Sequence, residues 1–217
     1  SYKNTKLWMY YTVSKLLTNG CSMTWGSGLN PDTRVVDAYP YKLAKLLDAE
    51  LIDLSQPGVS CQYVVRTTID FFLDRLDEDL SDYIVLLQMP NGARFEYWDW
   101  DGWNNYMINN SDSHTIVDLF ANDMHDSYNM INSIMQVGSF LKENNIRYYI
   151  STNGKDCKIN KRIEYIETNY NILGSSLVNS RLAGEVPFKE IRIPEDGHFS
   201  EYGHTVVANN IYRLIND

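Results

Sequence analysis

Short apolar runs separated by helix-period segments constrain this 217-residue chain more than any other feature. Tyr83–Leu87 (Tyr-Ile-Val-Leu-Leu) carries no charge on either side of its alternation, the pattern of a strand buried on both faces. Lys15–Asn19, Glu50–Leu54 and Arg147–Ser151 read as further strands. Between them lie segments with apolar residues three and four apart. Tyr39–Asp48 presents Leu43, Ala44, Leu46 and Leu47. Gln62–Leu80 presents Val64, Val65, Ile69, Phe72, Leu73 and Leu76. Asn122–Lys142 and Asn160–Tyr170 follow as helices, and Tyr202–Ile215 closes the chain with Val206, Val207, Ile211 and Leu214 on one face. Alternation of this kind predicts an α/β fold, a parallel sheet covered by helices on both sides.

One stretch fits no regular element. From Pro90 to Asp118, Phe95, Tyr97, Trp98, Trp100, Trp103 and Tyr106 are interleaved with Asp, Asn and Gly. A connection this long in a compact domain is either functional or structured in its own right. It follows the third strand, on the side where open α/β sheets bind ligands. The aromatics form either a satellite core or a ligand surface. The rest of the chain, 1–217, reads as a single domain into which residues 90–118 are inserted.

Composition removes several classes. A formal charge of −9 with no basic stripe opposes a nucleic-acid partner, because binding to phosphate backbones relies on clustered Lys and Arg. Cys21, Cys61 and Cys157 are odd in number and form no CxxC pair, and the four histidines lack HExxH spacing, so neither a disulfide framework nor a metal site is expected. No stretch approaches the ~18 apolar residues of a membrane span. Ser1–Leu17 lacks the apolar core of a signal peptide, which points to a cytoplasmic or virion-associated protein.

Four strand-end segments hold residues suited to chemistry. Gly20-Cys21-Ser22 ends the first strand, where a turn serine either completes the bend or presents its hydroxyl at the sheet edge beside free backbone N–H groups. Pro57-Gly58 follows the second strand. It can serve as a turn with Ser60 as N-cap, let a backbone N–H approach a ligand, or do both. Met89-Pro90-Asn91-Gly92 follows the third, with Asn91 as a turn residue or an amide donor, while Arg94 and Glu96 either pair with each other, the preferred reading, or touch substrate. Glu195-Asp196-Gly197-His198 precedes the last helix, where a carboxylate can fix the tautomer of an imidazole. His204 lies inside that helix and reads as structural; His114 and His125 have no evident partner.

Taken together, the pieces resemble the SGNH/GDSL hydrolases. Gly20-Cys21-Ser22-Met23-Thr24-Trp25-Gly26 is similar to the family's first block, in a Gly-Cys-Ser form associated with phage and bacterial members. Gly58 falls where the second block supplies an oxyanion glycine. Asp196-Gly197-His198-Phe199-Ser200, with Gly203-His204, resembles the block carrying the acid and base. Two departures stand out: only Asn91 answers to the usual Gly-x-Asn-Asp, and the commoner Asp-x-x-His offset would select Glu195 in place of Asp196.

The resemblance implies a three-layer α/β/α sandwich, flavodoxin-like with about five parallel strands. It implies a serine esterase with Ser22 as nucleophile, Asp196 and His198 as its acid and base, and Gly58 and Asn91 at the oxyanion. Neither metal nor organic cofactor is needed. The expected substrate is a small-molecule or glycan ester, with an acetyl-sized acyl group. Other readings of the same residues are an acyltransferase and a non-catalytic glycan-binding or virion structural protein. An ordinary α/β-hydrolase would want Gly-x-Ser-x-Gly, and Gly26 lies too far from Ser22 for that. Cys21 is a weaker nucleophile candidate, because neighbouring side chains at a strand end point to opposite sides.

Overall fold

The computed structural model describes residues 14–90, 92–100, 102–107, 123–152, 160–174 and 186–216. Five strands form one parallel sheet: β1 (Lys15–Asn19), β2 (Glu50–Asp53), β3 (Tyr83–Met89), β6 (Arg147–Thr152) and β7 (Ile172–Gly174), in the order β2-β1-β3-β6-β7. All seven residues of β3 are buried, while β2 at the edge has exposed ends, so the apolar content of each run tracks its place in the sheet. The flavodoxin-like expectation is met.

Helices cover both faces. α3 (Tyr39–Leu47) packs against the C-terminal α7 (Glu201–Asn216), and α4 (Cys61–Leu73) packs against α5 (Asp123–Glu143), which also contacts α6 (Asn160–Asn169). α4 starts where Ser60 accepts the Tyr63 N–H at 3.1 Å, so the N-cap role read from the sequence holds. The helix ends at Leu73, short of the expected Leu80; Leu73 and Leu76 are about half exposed and belong to no buried stripe. Turns and a 3-10 segment over Leu80–Asp82 fill the remainder before β3. The three-residue strand β7 was too short for a periodicity argument. Two four-residue helices, α1 (Ser22–Trp25) and α2 (Arg34–Asp37), were equally beyond one.

The segment after β3 corrects the expectation of irregular structure. β4 (Arg94–Asp99) and β5 (Gly102–Met107) form an antiparallel hairpin in which Trp98 faces Trp103 and Glu96 faces Asn105. Nor does it make a satellite core, since Tyr97, Trp98, Trp100 and Trp103 are all exposed. Arg94 and Glu96 do not pair with each other. The Glu96 carboxylate, its side chain 1% exposed, accepts two bonds from Arg66 of α4 at 2.6 and 2.9 Å, and Arg94 donates to the Val59 carbonyl at 3.2 Å. Asn129 of α5 donates to the carbonyls of Gly92 and Arg94, fixing the base of the hairpin.

Candidate active site

In the order β2-β1-β3-β6-β7, the chain leaves β1 and β3 in opposite directions, which opens a crevice at their carboxyl ends. Ser22 follows β1 there, Gly58 follows β2, and the hairpin follows β3. Gly20 carries the chain between Thr24 and Gln88: an added Cβ would overlap the Thr24 hydroxyl and approach Gln88 Cβ to 2.9 Å. The fully buried Gln88 holds the turn, its Oε1 accepting from the Cys21 N–H at 3.2 Å and the Cys21 thiol at 3.1 Å. Cys21 thus points into the core while Ser22 remains half-buried at the rim, as expected for neighbours at a strand end.

The first residue of α1 is Ser22 itself. Among the described residues neither its N–H nor that of Gly58 donates to a protein acceptor, which leaves both for a ligand. Gly58 sits at φ +80° with no heavy atom within 4 Å of where a Cβ would lie, so it is glycine for its conformation and not for crowding. Asn91 lies outside the described residues, as do His114 and Cys157; the side chain of His125 is likewise not described.

Near the other end of the chain, Ile193–His198 forms a closed turn. Ile193 N–H donates to the His198 carbonyl at 2.8 Å, and Gly197 N–H donates to the Ile193 carbonyl at 3.0 Å. This bend brings the Asp196 carboxylate back to the imidazole, with Oδ1 2.7 Å from His198 Nδ1. A carboxylate can only accept there, so Nδ1 carries a proton, and in the neutral ring the lone pair is left on Nε2. Glu195 is exposed and makes no such contact among the described residues, which favours Asp196 as the partner.

The two ends of the chain meet through Gly28. Gly26 and Ser27 donate their N–H groups to the Ser22 carbonyl at 3.0 and 2.9 Å. The next residue, Gly28, lies against the second loop: its absent Cβ would stand 2.6 Å from Asp196 Oδ2 and 3.5 Å from His198 Cβ. Ser22 and His198 share no hydrogen bond in this structure; the Ser22 hydroxyl has the Cys21 sulfur 4.0 Å away. Catalytic contacts of this kind are often long without substrate.

A buried polar chain braces the same junction. Thr24 Oγ1 lies 3.4 Å from Gln88 Oε1 and 2.9 Å from the Tyr39 hydroxyl, and the Tyr39 N–H donates to His204 Nδ1 at 3.1 Å. Burial, then the nearby Lys42 and His198, push the His204 pKa down to about 3, so the ring is a neutral acceptor. His204 is structural, in line with the sequence. Gln88, Thr24, Tyr39 and Gly28 were not singled out from the sequence. Gln88 offered a weak signal as a lone amide at the end of an apolar strand, and Gly28 as one glycine beyond the block.

No protein-family profile and no curated protein matches the sequence. Solved structures do match in shape. A lipolytic protein of the G-D-S-L family from Desulfitobacterium hafniense DCB-2 superposes with a TM-score of 0.57 and 16% identity over 93% of this chain and 99% of its own. Esterase EstA from Pseudoalteromonas sp. gives 0.58 and 11% over 94% and 100%. A family two carbohydrate esterase from Clostridium thermocellum gives 0.56 and 12% over 94% and 63%. The chain has the fold of the SGNH hydrolases.

Proposed function

We propose that this chain is a serine ester hydrolase that removes small acyl groups, such as acetyl, from a carbohydrate. His198 Nε2 takes the Ser22 proton as Oγ attacks the ester carbonyl, and Asp196 stabilises the imidazolium that forms. The Ser22 and Gly58 N–H groups, with the Asn91 amide, hold the oxyanion. His198 then protonates the departing alcohol. Water enters, gives a proton to His198 and attacks the acyl-enzyme; as the tetrahedral intermediate collapses to the acid, His198 returns that proton to Ser22 Oγ. The carrying observation is the Asp196–His198 pair at 2.7 Å packed against Gly28, six residues from Ser22. Its shape-likeness to esterases, a carbohydrate esterase among them, supports the same reading.

The test is hydrolysis of p-nitrophenyl acetate, butyrate and octanoate by the wild type, Ser22→Ala and His198→Ala. Loss of turnover in both variants, with acetate fastest in the wild type, is expected. Activity surviving both substitutions excludes this serine mechanism. Ester transfer to an added sugar in preference to water would assign an acyltransferase instead.

A further inference from the structure

The hairpin exposes more aromatic surface than its own folding explains. Within the short reach of β4 and β5, Trp98 is 66% exposed, Trp103 48% and Trp100 wholly so. Clustered exposed aromatics of this kind mark a contact surface, whereas scattered ones need no explanation. Trp98 and Trp103 face each other across the strands with ring centroids 5.3 Å apart and planes at 84°, making an edge-to-face corner.

That corner is braced from beneath. The Arg66 guanidinium lies 4.7 Å from the Trp103 ring centroid, and the buried Glu96 carboxylate grips Arg66 through two bonds. The bidentate pair fixes the guanidinium plane and, through it, the indole it covers. Rigid indoles held in advance lose little entropy on binding.

Charge selects the occupant. Over residues 94–107 the sequence holds one cation, Arg94, against Glu96, Asp99 and Asp101; Arg66 beneath the corner neutralises Glu96, and the two aspartates still outweigh Arg94 within a chain of formal charge −9. A membrane-surface site favours Lys and Arg around its aromatics, so this hairpin is poorly made for anionic lipid. It would also repel anionic sugars. Exposed indole faces on an acidic hairpin suit a neutral pyranose, whose axial C–H face is apolar and which brings no negative charge.

Position sets the size of the ligand. The hairpin base is tied to the candidate oxyanion loop by Arg94 donating to the carbonyl of Val59, the residue after Gly58. Trp98 lies four residues further out, roughly 13 Å at the rise of a strand. A sugar seated on the corner thus lies four strand residues from that tie, which leaves room for a different ring of the same sugar chain at Ser22. We propose that the Trp98–Trp103 corner, with Trp100 at the turn, is a stacking site for the pyranose rings of a neutral oligosaccharide. The esters cleaved at Ser22 are thereby borne on a sugar chain and not on a single sugar. The catalytic half of this statement rests on the hydrolase reading above; the binding half does not.

The test uses fluorescently labelled Ser22→Ala protein, full length, on a printed array of neutral and acidic glycans and on phosphatidylcholine vesicles. Binding to neutral oligosaccharides is expected, weakened about tenfold or more by Trp98→Ala or Trp103→Ala and largely restored by Trp98→Tyr. Thermal unfolding of each variant identifies any that fails to fold, and Trp98→Tyr then carries the comparison with Trp100→Ala. The proposal is overturned by no glycan binding, by preference for acidic glycans, by binding indifferent to these tryptophans, or by vesicle binding that they alone support. Because Ser22→Ala is used throughout, these outcomes are independent of whether the wild type hydrolyses p-nitrophenyl acetate.

Discussion

Replacing Gly28 with alanine should separate the positioning of the acid–base loop from the stability of the fold. Gly28 has φ +86°, so any side chain there costs about 1–2 kcal/mol of backbone strain. The larger effect is local. A Cβ would stand 2.6 Å from Asp196 Oδ2 and from Ile193 Cδ1, where ordinary contact begins at 3.4 Å, so one partner must retreat by 3.4 − 2.6, about 0.8 Å. The carboxylate cannot swing away freely, because its other oxygen holds His198 Nδ1 at 2.7 Å. Either that bond breaks or the imidazole moves with it. A displacement near 1 Å costs on the order of 10²-fold in turnover. The assay is kcat for p-nitrophenyl acetate with urea unfolding in parallel, against Gly102→Ala as the strain control. Gly102 has φ +126° and nothing within 4 Å of an added Cβ, so it should lose stability without a comparable fall in kcat. Equal kcat in the two variants would refute the idea that Gly28 seats the acid–base loop.

Asp196→Asn should lower kcat by at least 10²-fold while Glu195→Gln stays within about twofold, since only Asp196 bonds the imidazole; equal losses would reopen the choice of acid. Asn91→Ala should cost about 10²–10³ in kcat with little change in KM if its amide serves the oxyanion, and an unchanged kcat removes it from the site. Arg66→Ala leaves the buried Glu96 carboxylate unpaired and should destabilise the protein by about 3–5 kcal/mol in urea unfolding, whereas an exposed pair would cost well under 1. His204 is neutral when folded, with its pKa near 3, but takes a proton below its ordinary 6.5 when unfolded. Its contribution is therefore full above pH 6.5 and is lost as pH falls toward 3. Between pH 7 and 5 the wild type should lose about 2 kcal/mol more unfolding free energy than His204→Asn; parallel curves would contradict the buried neutral ring.

The order and number of the long elements were legible because buried parallel strands and amphipathic helices write their periods directly into the chain. Tyr83–Leu87 needed no context. The hairpin was hidden because Tyr97, Trp98, Trp100 and Trp103 are solvent-facing and its strands alternate without an apolar side, so no period-2 signal arose. Gln62–Leu80 overran because Leu73 and Leu76 continue the helical spacing although the chain has already turned. At the site, the candidates Ser22, Asp196 and His198 came from a family resemblance carried by the order of their segments. Gln88 and Gly28 could not, since their roles depend on which strand lies beside which and on a loop 165 or more residues away pressing against a bare Cα.

The pairing of α3 with α7 has a consequence for how the protein is made. A ribosome would finish Ser22 and the whole of β1 long before it added the turn holding Asp196 and His198. Tyr39 would wait equally long for the imidazole that accepts its N–H. Until that helix docks, the nascent chain presents an uncovered apolar side on α3 and a proposed nucleophile without its proposed base. The proposed chemistry thereby waits on the docking of α7.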